Sequence, residues 1–191
     1  MKIGLFFGSF NPVHNGHMVI ASYMAEYTDL EQVWFVVSPH NPLKEKDSLL
    51  ADHHRLQLVK IAIGDYRKLK ASDIEFSLPK PSYTIHTLTY LFEKHPSHQF
   101  VLIMGADNLE TFHKWKNWEQ ILESVELYVY PRKDNQGGNL LHHPRVKVVA
   151  APQMEISATF IRKAIKTSKD VRYMLPQYVW EYIQEMHFYE R

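Results

Sequence analysis

The 191-residue sequence contains no cysteine, and that absence excludes several kinds of site at once. A disulfide scaffold, a cysteine-ligated zinc site and a thiol nucleophile all need the residue that is missing. The net charge is also small, because 22 Lys and Arg are balanced by 21 Asp and Glu, a formal +1. A domain that grips a nucleic acid backbone usually carries a marked basic excess, so the sequence predicts no broad polyanion-binding surface.

The sequence also lacks an apolar run long enough to cross a membrane. Residues 3–25 contain no Asp, Glu, Lys or Arg, but polar and turn-forming residues such as Asn11, Pro12, Asn15 and Gly16 divide them into two shorter runs. A protein of the cytoplasm is therefore expected. None of the seven glycines fits GxxxxGK[ST] or GxGxxG, which excludes the two standard phosphate-binding loops.

What the sequence does have is a regular alternation of buried strands and helical patterns. Residues 3–7 form a continuous apolar run, residues 16–27 repeat apolar side chains at steps of three and four, and residues 33–37 form a second apolar run. This strand–helix–strand order predicts a parallel sheet with a right-handed crossover. The later patterns predict helices over 52–63, 83–94, 115–123, 158–166 and 176–186 and strands over 69–76, 99–104, 125–130 and 145–149.

Together these elements predict an α/β fold, a doubly wound parallel sheet with a small C-terminal helical subdomain. A length of 191 residues fits one domain of ordinary size. We therefore expect 1–191 to be a single domain, with 157–191 as a helical cap. Residues 131–143 contain a Gly-Gly pair and are expected to be the least structured part of the chain.

In such a sheet, ligands bind beyond the carboxyl ends of the strands, and the first candidate is the loop that follows the first strand. Gly8 permits a close approach or unusual backbone angles, and the amides at the next helix start suit phosphate. His14 and His17 are three residues apart, so both imidazoles can point the same way. Two ordinary polar residues at a helix start would show the same spacing, and a zinc site would need a third ligand.

Two segments resemble the signatures of the nucleotidyltransferase superfamily. Residues 8–17 resemble its H-x-G-H signature, with His14 as the first histidine, and residues 156–162 resemble its second signature, I-S-S/A-T-x-I-R. Further segments at 81–84, 103–107 and 114–115 are similar to bacterial nicotinate mononucleotide adenylyltransferases, in that order. The resemblance covers nearly the whole chain and implies a Rossmann-like fold.

The resemblance implies transfer of the adenylyl group of ATP to nicotinate mononucleotide, which gives deamido-NAD and pyrophosphate, with Mg²⁺ accompanying ATP. The nucleophile is a phosphate oxygen already ionised at neutral pH, so no general base is needed. Catalysis then depends on positioning two anions and stabilising charge on the α-phosphate and the leaving pyrophosphate. The expected partners are these small molecules, with no nucleic acid or membrane, and a homo-oligomer stays an open alternative.

The resemblance also assigns roles to individual residues. The expected catalytic residues are His17, His14, Lys44 and Arg162. The residues expected to bind ATP are Gly8, Ser9, Phe10, His14, His17, Gly105, Asp107, Arg132, Ile156, Ser157, Thr159 and Arg162. Those expected to bind nicotinate mononucleotide are Asn11, Lys44, Ser82, Thr84, Trp115 and Lys116. No residue is assigned as a metal ligand.

On the ATP side, each role has a chemical reason. His17 is expected nearest the transition-state charge, and the guanidinium of Arg162 has a fork of donors suited to the β- or γ-phosphate. Ser157 is a predicted N-cap, with Ile156 and Ile161 placed as a hydrophobic staple, so the helix would present free N–H groups to the triphosphate. Asp107 would accept hydrogen bonds from the ATP ribose.

On the acceptor side, Trp115 offers a flat apolar face for the pyridine ring, and Trp118 competes for that role. Backbone N–H groups near Thr84 and Lys116 could donate to the nicotinate carboxylate, and a neutral carboxamide would gain less from them. Asn11 stands where the superfamily often has Asp, which removes one carboxylate near the substrate phosphates.

Three alternatives remain open from the sequence. The acceptor could be nicotinamide mononucleotide or phosphopantetheine instead of nicotinate mononucleotide. The chain could also be a nucleotide-binding sensor or scaffold that keeps the fold without turnover.

Overall fold

The computed structural model describes residues 1–39, 49–133, 135 and 137–190. Its strands are β1 (Lys2–Gly8), β2 (Gln32–Val37), β3 (Leu69–Ser72), β4 (Gln99–Gly105), β5 (Glu126–Tyr130) and β6 (Val146–Val148). Its α-helices are α1 (Asn15–Tyr27), α2 (Asp52–Ile63), α3 (Thr84–Lys94), α4 (Ala106–Glu110), α5 (Trp118–Ser124), α6 (Ala158–Lys166) and α7 (Gln177–Glu185). Short 3₁₀ helices lie at Ile74–Ser77, Phe112–Lys114, Gly138–His142 and Arg172–Met174.

The six strands form one sheet in the order β3-β2-β1-β4-β5-β6, and every neighbouring pair is parallel. This confirms the predicted doubly wound parallel sheet. The chain progresses outward from β1 to β3 on one side and from β4 to β6 on the other, so the winding reverses between β1 and β4. Ligands in this architecture bind in the crevice beyond the strand ends at that reversal.

Helices cover both faces of the sheet and bury two hydrophobic clusters. On one face, side chains of α1, α2, α6 and α7 pack with Phe6 and Phe35 of the central strands. On the other face, side chains of α3, α4 and α5 pack with Leu5 and Leu102. Because the central strands are buried on both sides, their sequences are continuous apolar runs. Each large apolar side chain that is buried contributes about 1.5–3 kcal/mol to the free energy of folding.

Two predicted elements were wrong in extent. The strand expected over 69–76 ends at Ser72, whose hydroxyl accepts from the Ile74 backbone N–H at 3.4 Å, and a 3₁₀ turn follows. The helix expected over 115–123 begins only at Trp118, because Asn117 adopts a left-handed conformation with φ 54°. In addition, α4 and the 3₁₀ helix after it were not predicted. No helix in the described ranges is long and apolar enough to span a membrane.

Candidate active site

The loop after β1 is shaped by an unusual backbone at Phe10. Phe10 has φ 45°, which turns its ring inward, where it is 2% exposed. The ring lies edge-on to Phe6 and His17, with centroid distances of 5.8 and 5.1 Å. A Cβ on Gly8 would come within 2.8 Å of this ring, so glycine is what allows the ring to fold back against the end of β1. The loop is thus anchored by an aromatic side chain next to the two histidines.

His14 and His17 stack on each other with ring centroids 3.7 Å apart. The backbone N–H of His14 donates to Nδ1 of His17 at 3.2 Å, so a neutral His17 carries its proton on Nε2. Burial, with a smaller contribution from the charge of Arg132, lowers the pKa of His14 to about 4. Burial, followed by the proximity of His14 and then of Arg132, holds the pKa of His17 well below its usual value. Both rings are therefore neutral at pH 7 and can donate hydrogen bonds.

The His14 ring is 5% exposed, and its Nδ1 has no hydrogen-bond partner within the described ranges. Gly16 leaves room for the ring, since a Cβ there would lie 3.1 Å from it. An unpaired buried polar atom in a native structure calls for an explanation, and ligand-binding sites are one place where it occurs.

The start of α6 packs against the same loop, although it lies far away in the sequence. Ser157 caps the helix by accepting from the Phe160 N–H at 3.1 Å, which confirms the predicted cap, and Ile161 is fully buried. Arg162 donates to the Asn11 carbonyl at 2.8 Å and to the Thr159 hydroxyl at 3.4 Å. The two signature segments therefore meet, with one guanidinium holding them together.

The ends of β4 and β5 bring Asp107 and Arg132 together. The Arg132 guanidinium lies 3.6 Å from an Asp107 carboxylate oxygen and is centred 5.2 Å from the Tyr130 ring. Both charged side chains are about half exposed, so their mutual attraction is screened by water. Gly105 permits this approach, because a Cβ there would lie 2.3 Å from the Asp107 carboxylate. These side chains stay accessible to a ligand at the strand ends.

A cleft, which we call the acceptor cleft, lies beyond the carboxyl ends of β1, β2 and β4 and has a volume of about 330 Å³. Among the predicted residues, Ser82, Thr84 and Trp115 line it, and so does Gly8. The competing Trp118 instead lines a separate pocket with Leu122, Leu140 and Arg145. Lys116 lies beside the acceptor cleft, with its ammonium 4.5 Å above the Tyr83 ring and 3.4 Å from Nε2 of His86.

Sequence reasoning missed several residues of the acceptor cleft. Phe7, Ser38, Pro39, Glu75, Lys80, Pro81 and Asn108 also line it. Glu75 is 3% exposed, whereas the strand predicted over 69–76 gave no reason for a buried acid. Lys80 lies 3.6 Å from Asp52 of α2. The only sequence signal was a single Glu within the apolar segment Ile74–Phe76, which does not by itself indicate a cleft.

Arg55 was also missed, and it is fully buried beneath the β1 loop. Its guanidinium donates to the Ser9 carbonyl at 2.6 Å, to the Leu50 carbonyl at 3.0 Å and to Asp52 at 2.6 Å. Burial lowers the pKa of Arg55, and the nearby Asp52 opposes that shift. The residue ties α2 to the loop that carries the histidines.

Of the remaining predicted residues, one falls outside the described part of the chain and the other is buried. Lys44 lies in 40–48, outside the described residues. Asn11 is 4% exposed, and its side-chain oxygen accepts from the Tyr189 hydroxyl at 2.7 Å and from the Leu50 N–H at 3.3 Å. Asn11 therefore makes contacts that link the loop to the C-terminus. The described residues contain no group of three or more His, Asp or Glu side chains arranged to hold a metal ion.

Comparisons with known proteins agree on one family. The cytidylyltransferase-like family model matches residues 5–164. A protein of Flavobacterium johnsoniae named "probable nicotinate-nucleotide adenylyltransferase" is 56% identical over 193 aligned residues, which cover 100% of both chains. A Bacteroides thetaiotaomicron protein with the same name is 47% identical, over 97% of this chain and 92% of its own.

Solved structures give the same fold. The nicotinic acid mononucleotide adenylyltransferase of Plasmodium falciparum, complexed with NaAD, superposes with a TM-score of 0.84 and 20% sequence identity, over 99% of this chain and 97% of its own. The same enzyme complexed with APC superposes with a TM-score of 0.81 and 19% identity, over 99% and 97% of the two chains. At such low identity these likenesses establish the architecture alone.

Proposed function

The chain belongs to the nicotinate-nucleotide adenylyltransferases within the cytidylyltransferase-like family, and from that membership we propose that it transfers the adenylyl group of ATP to nicotinate mononucleotide. A phosphate oxygen of the mononucleotide attacks the α-phosphorus of ATP. The bond from that phosphorus to the bridging oxygen of the β-phosphate breaks, so deamido-NAD forms and pyrophosphate leaves. No proton has to be removed from the nucleophile. ATP is a cytoplasmic metabolite, and we place the reaction there.

One observation carries the proposal: the two signature segments meet at the reversal of the sheet, directly beside a cleft of about 330 Å³. The Arg162 side chain bonds to Asn11, the histidine pair lies in the same loop, and Gly8 borders the acceptor cleft. An anion-binding region and an acceptor cleft on either side of one strand end would hold the two reactants adjacent to each other. Such positioning is the main requirement of a phosphoryl-type transfer.

For ATP, we propose that His14 and His17 donate hydrogen bonds to the phosphates as neutral imidazoles. A donor held in place in this way stabilises charge that develops at the α-phosphate without the cost of reorienting solvent. Arg162 and Arg132 would add positive charge on the β- and γ-phosphates, and the N-terminus of α6 would add backbone donors. The remaining proposed contacts are Gly8, Ser9, Phe10, Gly105, Asp107, Ile156, Ser157 and Thr159.

For the acceptor, we propose that the pyridine ring stacks on Trp115 at the wall of the acceptor cleft. The backbone N–H groups of Ser82 and of the start of α3 at Thr84 would receive the nicotinate carboxylate, with the positive charge of Lys116 nearby. Asn11 and Lys44 complete the proposed acceptor set. A carboxylate gains more from such donors than a carboxamide does, which favours the nicotinate form.

A divalent cation, Mg²⁺ in this proposal, accompanies ATP in the reaction. The described residues do not form a protein cage for it, because they lack three clustered acidic or histidine ligands. Mg²⁺ commonly keeps several water ligands and binds through substrate phosphates, so the triphosphate itself would carry the ion. The cationic and histidine side chains of the site are suited to contacting phosphate oxygens directly.

An assay that compares three acceptor substrates tests this function. Purified enzyme with ATP is given nicotinate mononucleotide, nicotinamide mononucleotide or phosphopantetheine, and pyrophosphate release is measured to obtain kcat/KM for each. We expect nicotinate mononucleotide to give the highest value and to yield deamido-NAD by chromatography. Calorimetric ATP binding without any product from the three acceptors would instead indicate a nucleotide sensor.

The same assay tests the role of His17. His17→Ala should lower kcat at least about 100-fold, the usual loss when a donor to developing charge is removed. His53→Ala, at an exposed position on α2, is the matched control and should retain full turnover. Near-wild-type turnover of His17→Ala would show that its imidazole does not stabilise the reacting phosphate.

A further inference from the structure

Glu75 is a buried acid for which the reaction has no evident use. It lies in the 3₁₀ turn Ile74–Ser77, is 3% exposed, and lines the acceptor cleft. Within the described ranges it forms no ion pair with Lys or Arg. Burying a carboxylate without a nearby cation is costly unless hydrogen bonds satisfy its oxygens. The hydrogen-bond partners of Glu75 therefore indicate its role.

Those partners are three hydroxyl groups: one directly after β2, one in the turn before α3 and one in α3 itself. Thr87, in the second turn of α3, donates to one Glu75 oxygen at 2.7 Å, and Ser82, in the turn before that helix, donates to the other at 3.3 Å. Ser38, directly after β2, supplies the third hydrogen bond. Burial raises the pKa of Glu75, and the three hydroxyl groups oppose that shift.

We propose that Glu75 is a positioning residue for the acceptor: its carboxylate holds the end of β2, the turn at Ser82 and the start of α3 in the arrangement that the mononucleotide requires. This inference rests on the proposed function, since it concerns the cleft assigned to nicotinate mononucleotide. Ser82 and Thr84, the two residues proposed to receive the nicotinate carboxylate, lie in the segment that Glu75 holds.

The effect should be confined to one substrate. The groups proposed to contact ATP lie across Gly8 on the β1, β5 and α6 sides, and in the described part of the chain Glu75 has no contact with His14, His17 or Arg162. A loss of general stability would affect the binding of both substrates alike. A loss of positioning in the acceptor cleft would weaken nicotinate mononucleotide binding and leave ATP binding unchanged.

The experiment measures KM for each substrate and kcat in Glu75→Ala and Glu75→Gln. We expect Glu75→Ala to raise KM for nicotinate mononucleotide about tenfold, as expected when buried hydroxyls lose their acceptor, while KM for ATP stays within about twofold. Gln keeps the size and one acceptor oxygen, so Glu75→Gln should recover most of the acceptor affinity. Equal changes in both KM values, no change in either, or a Gln variant as impaired as Ala would overturn the proposal.

A second pair of variants covers the case in which Glu75→Ala does not fold. Thr87→Val removes one hydroxyl donor at nearly constant volume and should raise KM for nicotinate mononucleotide about threefold. Thr89→Val is the matched control, because the Thr89 hydroxyl is on the same helix and, among the described residues, hydrogen-bonds to the Ile85 carbonyl alone, at 2.9 Å. If Thr87→Val and Thr89→Val behave alike, Glu75 does not act through this hydroxyl and the inference fails.

Measurements on the wild-type enzyme distinguish failure of this inference from failure of the proposed function. Wild-type enzyme that releases no pyrophosphate with nicotinate mononucleotide contradicts the function itself. Wild-type enzyme that turns over normally, with variants that show no difference between the two KM values, contradicts only the role of Glu75. Calorimetric titration of each variant with nicotinate mononucleotide alone gives the same comparison without turnover, and weaker binding to Glu75→Ala than to Glu75→Gln is the expected result.

Discussion

Two stacked imidazoles illustrate how burial sets the chemistry of a residue. His14 and His17 lie near Arg132, in the region that we propose binds the phosphates of ATP, yet their pKa values are lowered. Charged rings would attract phosphate more strongly, but two adjacent imidazolium groups would repel each other and lose hydration. Neutral rings with fixed hydrogen-bond donors avoid that cost. A bound triphosphate would reduce the penalty for protonation, since an opposite charge favours the charged form.

The lowered pKa of His14 leads to a stability prediction. In the unfolded chain a histidine titrates near pH 6.5, whereas folded His14 titrates at about 4, so the unfolded state binds more protons between these values. Stability is fully present above pH 6.5 and is lost as the pH falls toward 4. His14 alone should contribute about 2 kcal/mol of this loss between pH 7 and pH 4.5. Urea unfolding of wild type and His14→Gln measures the difference; parallel pH curves would contradict it.

Buried Arg55 stabilises the site through the backbone, without contacting a ligand itself. Its three donors go to the Ser9 carbonyl, the Leu50 carbonyl and Asp52, so it fixes the loop below the histidines without facing a ligand. Asp52 also pairs with Lys80 of the acceptor cleft. One short network thus connects the loop of the ATP side with the wall of the acceptor side.

At the scale of elements, α6 combines a cap with a proposed phosphate contact. Its first turn is closed by the Ser157 hydroxyl, and its buried side places Ile161 in the core while Arg162 reaches the β1 loop. A helix that is both capped and anchored in this way presents its remaining N–H groups in a fixed direction. Backbone N–H groups held in a fixed direction are what a binding site for several phosphates needs.

Removing the cap should therefore affect both stability and ATP binding. Ser157→Ala leaves the Phe160 N–H without its side-chain partner and should cost about 1 kcal/mol in the free energy of unfolding. Ser157→Thr keeps a hydroxyl and is the matched control, expected to stay close to wild type. Chemical denaturation gives the stability change, and KM for ATP should rise in the Ala variant alone. Equal behaviour of Ala and Thr would mean that the cap is not what orders this helix.

At the scale of the whole molecule, the C-terminal helices share the hydrophobic core of the sheet. Val179 and Ile183 of α7 are fully buried in the same cluster as Phe6 and Phe35, and Tyr189 is bonded to Asn11. Not every aromatic side chain of the C-terminal segment is part of this core, since Tyr173 is 90% exposed. We propose that 1–191 is one domain with 157–191 as its cap, because in the described part of the chain the buried side chains of α6 and α7 belong to the same cluster as those of the sheet.

This proposal predicts one cooperative unfolding transition. A variant whose only tryptophan is Trp180 reports on the C-terminal helices, and a variant that keeps only Trp34 reports on the sheet. Their fluorescence midpoints in urea should coincide with each other and with circular dichroism. Tyr189→Phe should lower both midpoints together, at a cost of about 1 kcal/mol for the lost hydrogen bond. Separate transitions for the two probes would show that the cap unfolds on its own.

The sequence by itself determined the architecture and the two signature segments from which a phosphate site is proposed. Periodicity is a local property, so strands buried on both faces and helices such as 52–63 and 158–166 could be predicted closely. Local backbone exceptions could not be predicted, such as the left-handed Asn117 that delays α5. The two signature segments and the Ser157 cap were likewise recognisable, because each depends on neighbouring residues.

Only the tertiary structure decided which residues form the acceptor cleft and what holds it. The hydrogen bond from Arg162 to Asn11 joins positions 151 apart, and that from Arg55 to Ser9 joins positions 46 apart. Whether Glu75 is an exposed acid or a buried one depends on how α3 and the end of β2 pack around it. Burial and hydrogen-bond partners are properties of the packed chain, and a single sequence does not specify them.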